Sequence, residues 1–171
     1  MKELPVRKSI RLKGYDYSNA GYYFVTICVE DGHEILSEIV GADDPVRPSV
    51  ELTDMGKIID DCWHKINDIY ENVYTDKYCI MPNHFHGIIV VKEMGEHQIS
   101  TGGQGRPPLQ KILQGFKSTT TRYCYKYGFR TIWQRSYYDE IIRNEEAYRN
   151  IWRYIDENPA KWAEDECFMK K

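Results

Sequence analysis

The 171-residue chain is 42% hydrophobic, 13% aromatic and 29% charged, the balance of one globular domain long enough to bury a core without a disulfide framework or a structural metal. A net charge of −3 excludes a uniformly basic polyanion binder, and five scattered cysteines without a CxxC pair argue against both a disulfide scaffold and a cysteine-built zinc site. No apolar run approaches the ~18 residues of a membrane span, and the N-terminal basic stretch has no apolar segment behind it, so the expectation is a cytoplasmic protein with no membrane partner.

The charge is unevenly placed. Residues 1–15 carry Lys2, Arg7, Lys8, Arg11 and Lys13 against Glu3 alone, and residues 106–135 carry seven basic residues and no acid. A basic arm (1–20) and a basic central segment on an otherwise acidic body are what a polyanion groove requires, and equally what a solvated face looks like.

In chain order, Tyr22 to Val29 is rich in β-branched and aromatic residues and reads as a central strand. His33 to Val40 is expected to pair with it through the turn Glu30-Asp31-Gly32, and the acidic, proline-bearing stretch after it reads as a surface loop. From Thr53 the period changes: Met55, Ile58, Ile59, Cys62, Trp63, Ile66 and Ile69 or Tyr70 recur at three and four, an amphipathic helix with Thr53 or Asp54 as its cap. Val73–Met81 and Gly87–Val91 are two further strands flanking Pro82-Asn83-His84-Phe85-His86, with the histidines entering the second. Residues 93–107 have no periodicity and read as a mobile loop. A second helix runs on Leu109, Ile112, Leu113, Phe116, Thr120, Tyr123 and Tyr127 and stops at Gly128, with Lys111, Arg122 and Lys126 within about 60° of one another on its flank. Tyr137–Arg143 is a short strand or turn. Asn144 caps a third helix whose apolar set is Tyr148, Ile151, Trp152 and Ile155, ended by Asn158-Pro159. The order implies one α+β domain over 1–171, an antiparallel sheet covered on one face.

His84-Phe85-His86 is the sharpest local pattern. In an extended segment residues i and i+2 share a face, so two imidazoles, the commonest protein ligands for divalent metals, stand side by side. A pair of half-buried, hydrogen-bonded histidines has the same spacing. The other histidines, His33, His64 and His97, lie elsewhere. On the last helix Tyr154 and Asn158, one turn apart, share a face on which an amide oxygen can reach a metal and a phenol can act as nucleophile; a structural role for both is the alternative.

MPNHFHGIIVV, LQGFKSTTTR and IWQRSYYDEIIRNEEAYRNIWRYIDENPAKW, in this order between Gly21 and Trp162, resemble the HUH single-tyrosine transposases, in particular the REP-associated tyrosine transposase branch. The resemblance implies a ferredoxin-like, RRM-like fold, a catalytic Mg²⁺ or Mn²⁺ held by His84, His86 and Asn158, and Tyr154 as nucleophile, with Tyr137, Tyr138 and Tyr148 as competitors. Asn158 stands where the insertion-sequence branch more often has Gln. The implied activity is cleavage and rejoining of hairpin-flanked single-stranded DNA through a 5′-phosphotyrosine. Lys111, Lys117, Arg122, Lys126, Arg130 and Arg135 would then follow the DNA backbone, Tyr123, Tyr125, Trp133, Tyr137 and Tyr138 would stack on bases or pack, and Arg7, Lys8 and Arg11 would grip flanking nucleotides. Two other readings stand beside it: a non-catalytic RRM-like module that only binds hairpins, and a metal-dependent phosphodiesterase that activates water. The residues are the same for a monomer and for a homodimer that exchanges its tyrosine helix.

Overall fold

The computed structural model describes residues 14–41, 48–93 and 108–164. The basic arm through residue 13, with Arg7, Lys8 and Arg11, and all of the 93–107 loop except Glu93 lie outside the described residues.

Four strands form one antiparallel sheet: β1 (Gly21–Cys28), β4 (Val73–Ile80), β5 (His84–Val91) and β6 (Tyr138–Ile142), in the order β4-β5-β1-β6. With β2 (Ser37–Val40) and β3 (Ser49–Leu52) set aside as a separate two-stranded sheet, the chain reads strand, helix, strand, strand, helix, strand. That is the ferredoxin-like arrangement. The helices are α1 (Asp54–His64), the single turn α2 (Ile66–Ile69), α3 (Leu109–Cys124) and α4 (Glu145–Glu157). None of the described helices is long and apolar enough to cross a membrane.

The two-residue period of β1 sorts its side chains between two cores. Tyr23, Val25 and Ile27 face the layer made by α1 and α3, where Trp63 packs against Phe85 at 4.6 Å and Phe116 at 5.6 Å between ring centroids. Phe24 faces the other way and forms a smaller cluster with Ile88, Val90, Ile142 and Ile155 of α4. The sheet is therefore covered on both faces, where the sequence led us to expect one. The apolar stripe of α4 is short but has no other surface on which to bury.

Four further expectations are corrected. The segment 33–40 does not pair with β1, because both edges of β1 are taken by β5 and β6; instead Ser37–Val40 pairs with Ser49–Leu52. The helix from Thr53, capped by the Thr53 hydroxyl on the Gly56 amide, ends at His64 instead of continuing to Ile69 or Tyr70. Asn67 explains the break: its side-chain amide donates to the His64 carbonyl at 3.0 Å and its side-chain oxygen accepts from Thr75 N at 2.7 Å, competing with the helical ladder. The strand expected from Gly87 begins at His84, since Phe85 and His86 continue the β1 register opposite Ile27 and Thr26. The second helix, expected to run to Gly128, is α-helical only to Cys124; a 3₁₀ turn (Tyr125–Tyr127) carries it to Gly128, whose φ of +89° is the left-handed conformation that glycine adopts without steric cost.

Candidate active site

His84 and His86 pair with Cys28 and Thr26, which places both imidazoles on the α4 face of the sheet, at 0% and 2% exposure. Each ring is held by its Nδ1. His84 Nδ1 lies 2.9 Å from Asn83 Oδ1, an oxygen that only accepts, so this nitrogen carries a proton, and in the neutral ring Nε2 keeps its lone pair. His86 Nδ1 lies 2.8 Å from Thr26 Oγ1, a hydroxyl that serves either tautomer of the ring. Burial, then the neighbouring His84, holds His86 well below the ordinary imidazole pKa, so it is neutral at physiological pH.

The two Nε2 atoms stand 2.9 Å apart. Two nitrogen donors at right angles around one ion, each at ~2.1 Å, would be about 3.0 Å apart, so the pair fits adjacent positions on a divalent metal. The partners on both Nδ1 atoms are the outer-shell support that such ligands require. Among the described residues there is no group of three His, Cys, Asp or Glu that could complete a site. A third protein ligand would therefore come from a different side-chain type.

The C-terminal half of α4 lies over this pair. The Tyr154 hydroxyl is 3.3 Å from His86 Nε2, and its ring meets His86 at 5.1 Å and Phe24 at 6.0 Å. The ring is 45% exposed, so its hydroxyl has an inner neighbour while the residue stays open to solvent. Asn158, 3% exposed, follows one turn later, and Trp162 packs on His84 at 5.8 Å. Asn158-Pro159 ends α4 as expected, but the chain continues as a 3₁₀ segment (Asn158–Glu164), which carries Trp162 back to the histidines. Proline is tolerated there because the first residues of a helical segment have no partner for their amides.

The competing tyrosines are placed differently. Tyr148 OH donates to Asp76 at 2.7 Å, and Tyr138 OH donates to Glu140 at 3.1 Å. The bond to Asp76, more than burial, pushes Tyr148 up to about 12. The folded protein thus retains a phenolic proton that the unfolded chain releases from about pH 10, so this group's stabilisation is present below pH 10 and lost as pH rises toward 12. Denaturant midpoints measured across this range should fall with pH in the native sequence and less steeply in Tyr148→Phe; equal slopes would refute the assignment.

Of the basic residues singled out in the sequence, Lys117, Arg122 and Arg135 meet in a groove of about 670 Å³ between α3 and residues 131–137, with Gln114, Gln134 and Tyr137 also lining it. Gln134 N donates to Cys28 O at 2.9 Å, and Cys28 pairs with His84, so this groove lies at the same end of the sheet as the imidazoles. Lys117 acts as a brace. Its ammonium donates to the Gln134 and Arg135 carbonyls at 2.6 and 3.1 Å, and burial lowers its pKa. Lys111 is exposed on α3 outside the groove, and Lys126 and Arg130 are exposed around Gly128. Among the aromatics, Trp133 is buried and donates to Thr120 Oγ1 at 2.8 Å, whereas Tyr123, Tyr125 and Tyr138 are exposed.

Sequence reasoning missed Thr26, Asn83, Phe24 and Trp162. Asn83 was legible as the polar neighbour of His84. Thr26 became visible only through its pairing with a residue sixty positions away.

No family model matches the chain. A paired-histidine sheet with a tyrosine helix across it is built here on the fold of a tyrosine transposase. The solved structure of a REP-associated tyrosine transposase bound to a REP hairpin superposes with a TM-score of 0.62 at 20% identity, covering 89% of this chain and 73% of that one. In sequence, the chain is 33% identical over 174 residues to an uncharacterized protein of Haemophilus influenzae, covering 95% of this chain and 93% of that protein, and it belongs to the same family.

Proposed function

We propose that the chain is a single-strand DNA transposase of the HUH single-tyrosine class, which cleaves and rejoins hairpin-flanked DNA. The observation that carries the reading is the Tyr154 hydroxyl 3.3 Å from a buried histidine whose Nε2 faces that of a second at 2.9 Å. The likeness in fold to a transposase that binds a REP hairpin supports the substrate class.

His84, His86 and the side-chain oxygen of Asn158 would hold Mg²⁺ or Mn²⁺, which when bound supplies Lewis-acid polarisation of the scissile phosphate. Tyr154 attacks phosphorus through its phenolic oxygen. A tyrosyl O–P bond forms as the phenol gives up its proton to solvent, the bond from phosphorus to the 3′ oxygen breaks, and that oxygen leaves as a hydroxyl after taking up a proton from solvent. The 5′-phosphotyrosine keeps the energy of the broken bond, and attack by a second 3′-hydroxyl rejoins the strands and restores Tyr154. Half-exposure suits Tyr154 to a flexible backbone, while Phe24 and His86 limit the movement of its ring.

DNA would pass along the groove of Lys117, Arg122 and Arg135 toward the histidines, with Lys111, Lys126 and Arg130 extending the positive surface and Arg7, Lys8 and Arg11 contributing from the arm. Replacing Arg122 or Arg135 with Ala should weaken hairpin binding across sequences and reduce the slope of log affinity against log salt by roughly 0.7–0.9 each. An unchanged slope would take them off the DNA path.

The test of the function is incubation with single-stranded hairpin DNA in Mn²⁺ and in EDTA, followed by denaturing electrophoresis. A metal-dependent adduct that survives denaturation is expected. Cleavage without an adduct would indicate a phosphodiesterase using water, and binding unaffected by EDTA with no cleavage would indicate a hairpin-binding module.

A further inference from the structure

In β4 the ladder to β5 slips. Thr75 pairs with Ile89 and Tyr78 with Gly87, so Asp76 and Lys77 together stand opposite the single residue Ile88. In a regular strand one of these two would point to each face. A bulge re-aims side chains, and here both reach α4: Asp76 accepts from Tyr148 OH at 2.7 Å, and Lys77 Nζ contacts Asp156 Oδ1 at 2.6 Å and lies 4.1 Å from the Trp152 ring centroid.

Tyr148, Trp152 and Asp156 are successive i, i+4 positions, so they form one stripe along α4. It runs beside the apolar stripe of Ile151 and Ile155 and ends two residues before the cap at Asn158. Apolar packing is not directional and leaves a helix free to slide or roll on a sheet. Two polar anchors, eight residues apart on the helix and adjacent on the strand, remove that freedom. The Lys77 and Asp156 side chains are 25% and 26% exposed, less open to solvent screening than the Arg149–Glu145 pair at 72% on the same helix. A shift of one turn, ~5.4 Å, would separate Tyr154 from His86 entirely.

We infer that the β4 bulge is a positioning device for the nucleophile: Asp76 and Lys77 set the register of α4 on the sheet and thereby hold Tyr154 over His86. Its catalytic consequence rests on the transposase reading above. Asp76 and Lys77 do not touch the reacting atoms; they act through the helix.

The test uses the full chain with Lys77→Glu, Asp156→Lys and the double charge swap, and Arg149→Ala as a control at the exposed pair. Three quantities are read: single-turnover adduct formation on hairpin DNA in Mn²⁺, hairpin affinity, and hydrogen exchange of the α4 amides. Each single variant should slow adduct formation at least tenfold with hairpin affinity within twofold, and should raise exchange in α4 without raising it in β1 or β5. The swap should recover most of both losses, and Arg149→Ala should match the native chain. Single variants with native adduct rates and native α4 protection would overturn the inference, as would losses that the swap does not repair. If the native chain forms no adduct at all, the transposase reading fails; the exchange data still decide whether the bulge anchors α4.

Discussion

Tyr154→Phe is expected to abolish the covalent protein–DNA adduct and to reduce strand cleavage by at least about 10³-fold, roughly 4 kcal/mol of transition-state stabilisation. Only the phenolic oxygen, the attacking atom of the proposed mechanism, is removed. The ring contacts to His86 at 5.1 Å and Phe24 at 6.0 Å involve carbon faces and edges that phenylalanine keeps, and the partly exposed ring contributes little to the core. Hairpin affinity should stay within about twofold and the melting temperature within about 2 °C, since a surface change away from packing features alters stability by no more than about 0.5 kcal/mol. Denaturing gels, binding titrations and thermal melts check the three parts separately. An adduct that persists in Tyr154→Phe but vanishes in Tyr138→Phe would move the nucleophile to Tyr138, which lies on the same face of the sheet, 6.4 Å from Phe24.

The second large effect concerns stability. Gly56 sits in the first turns of α1, where a Cβ would lie 2.1 Å from the carbonyl oxygen of Leu36 and 3.2 Å from Leu52 Cβ. The carbonyl has no room to retreat: it accepts from Thr53 N at 3.0 Å and from Thr53 Oγ1 at 2.9 Å, and Leu36 N donates to Pro82 O at 3.0 Å. Alanine would gain about 1 kcal/mol of helix propensity, but displacing backbone costs more. We expect Gly56→Ala to lose about 2 kcal/mol net, or about 4–8 °C in melting temperature. Lys57→Ala, at the exposed neighbour, should change by less than about 0.5 kcal/mol. Because Pro82 and Asn83 precede His84 in the same turn, the strain should also reach the histidines and, if they hold the metal as proposed, weaken Mn²⁺ binding measured by calorimetry. A Gly56→Ala protein as stable as the native one would show that the helix can back away from Leu36.

Much of the site was legible because it depends on short-range periodicity. Two histidines at i and i+2 share a face in any strand, and a tyrosine and an asparagine at i and i+4 share a face on any helix. The helix caps Thr53 and Asn144 and the stop at Gly128 were likewise readable, since capping is decided by a side chain and the backbone within three residues of it. The motif order also pointed to the transposase fold that the structure has.

What resisted reading was everything decided by pairing across the chain. Ser37–Val40 and Ser49–Leu52 are short, half-polar segments whose partner is each other, and nothing local separates that choice from pairing with β1. The second covered face of the sheet follows from where the apolar stripe of α4 can bury, not from the stripe itself.

The sequence by itself determined which side chains stand together within an element: the two imidazoles, and the tyrosine one turn before the asparagine. Only the tertiary structure decided that these two sets meet, that Thr26 and Asn83 orient the rings, and that a slipped ladder in β4 turns Asp76 and Lys77 toward α4. The reason is physical: spacing along one element is set by its own backbone geometry, whereas register between elements is set by burial and hydrogen bonding between residues that are distant in the chain.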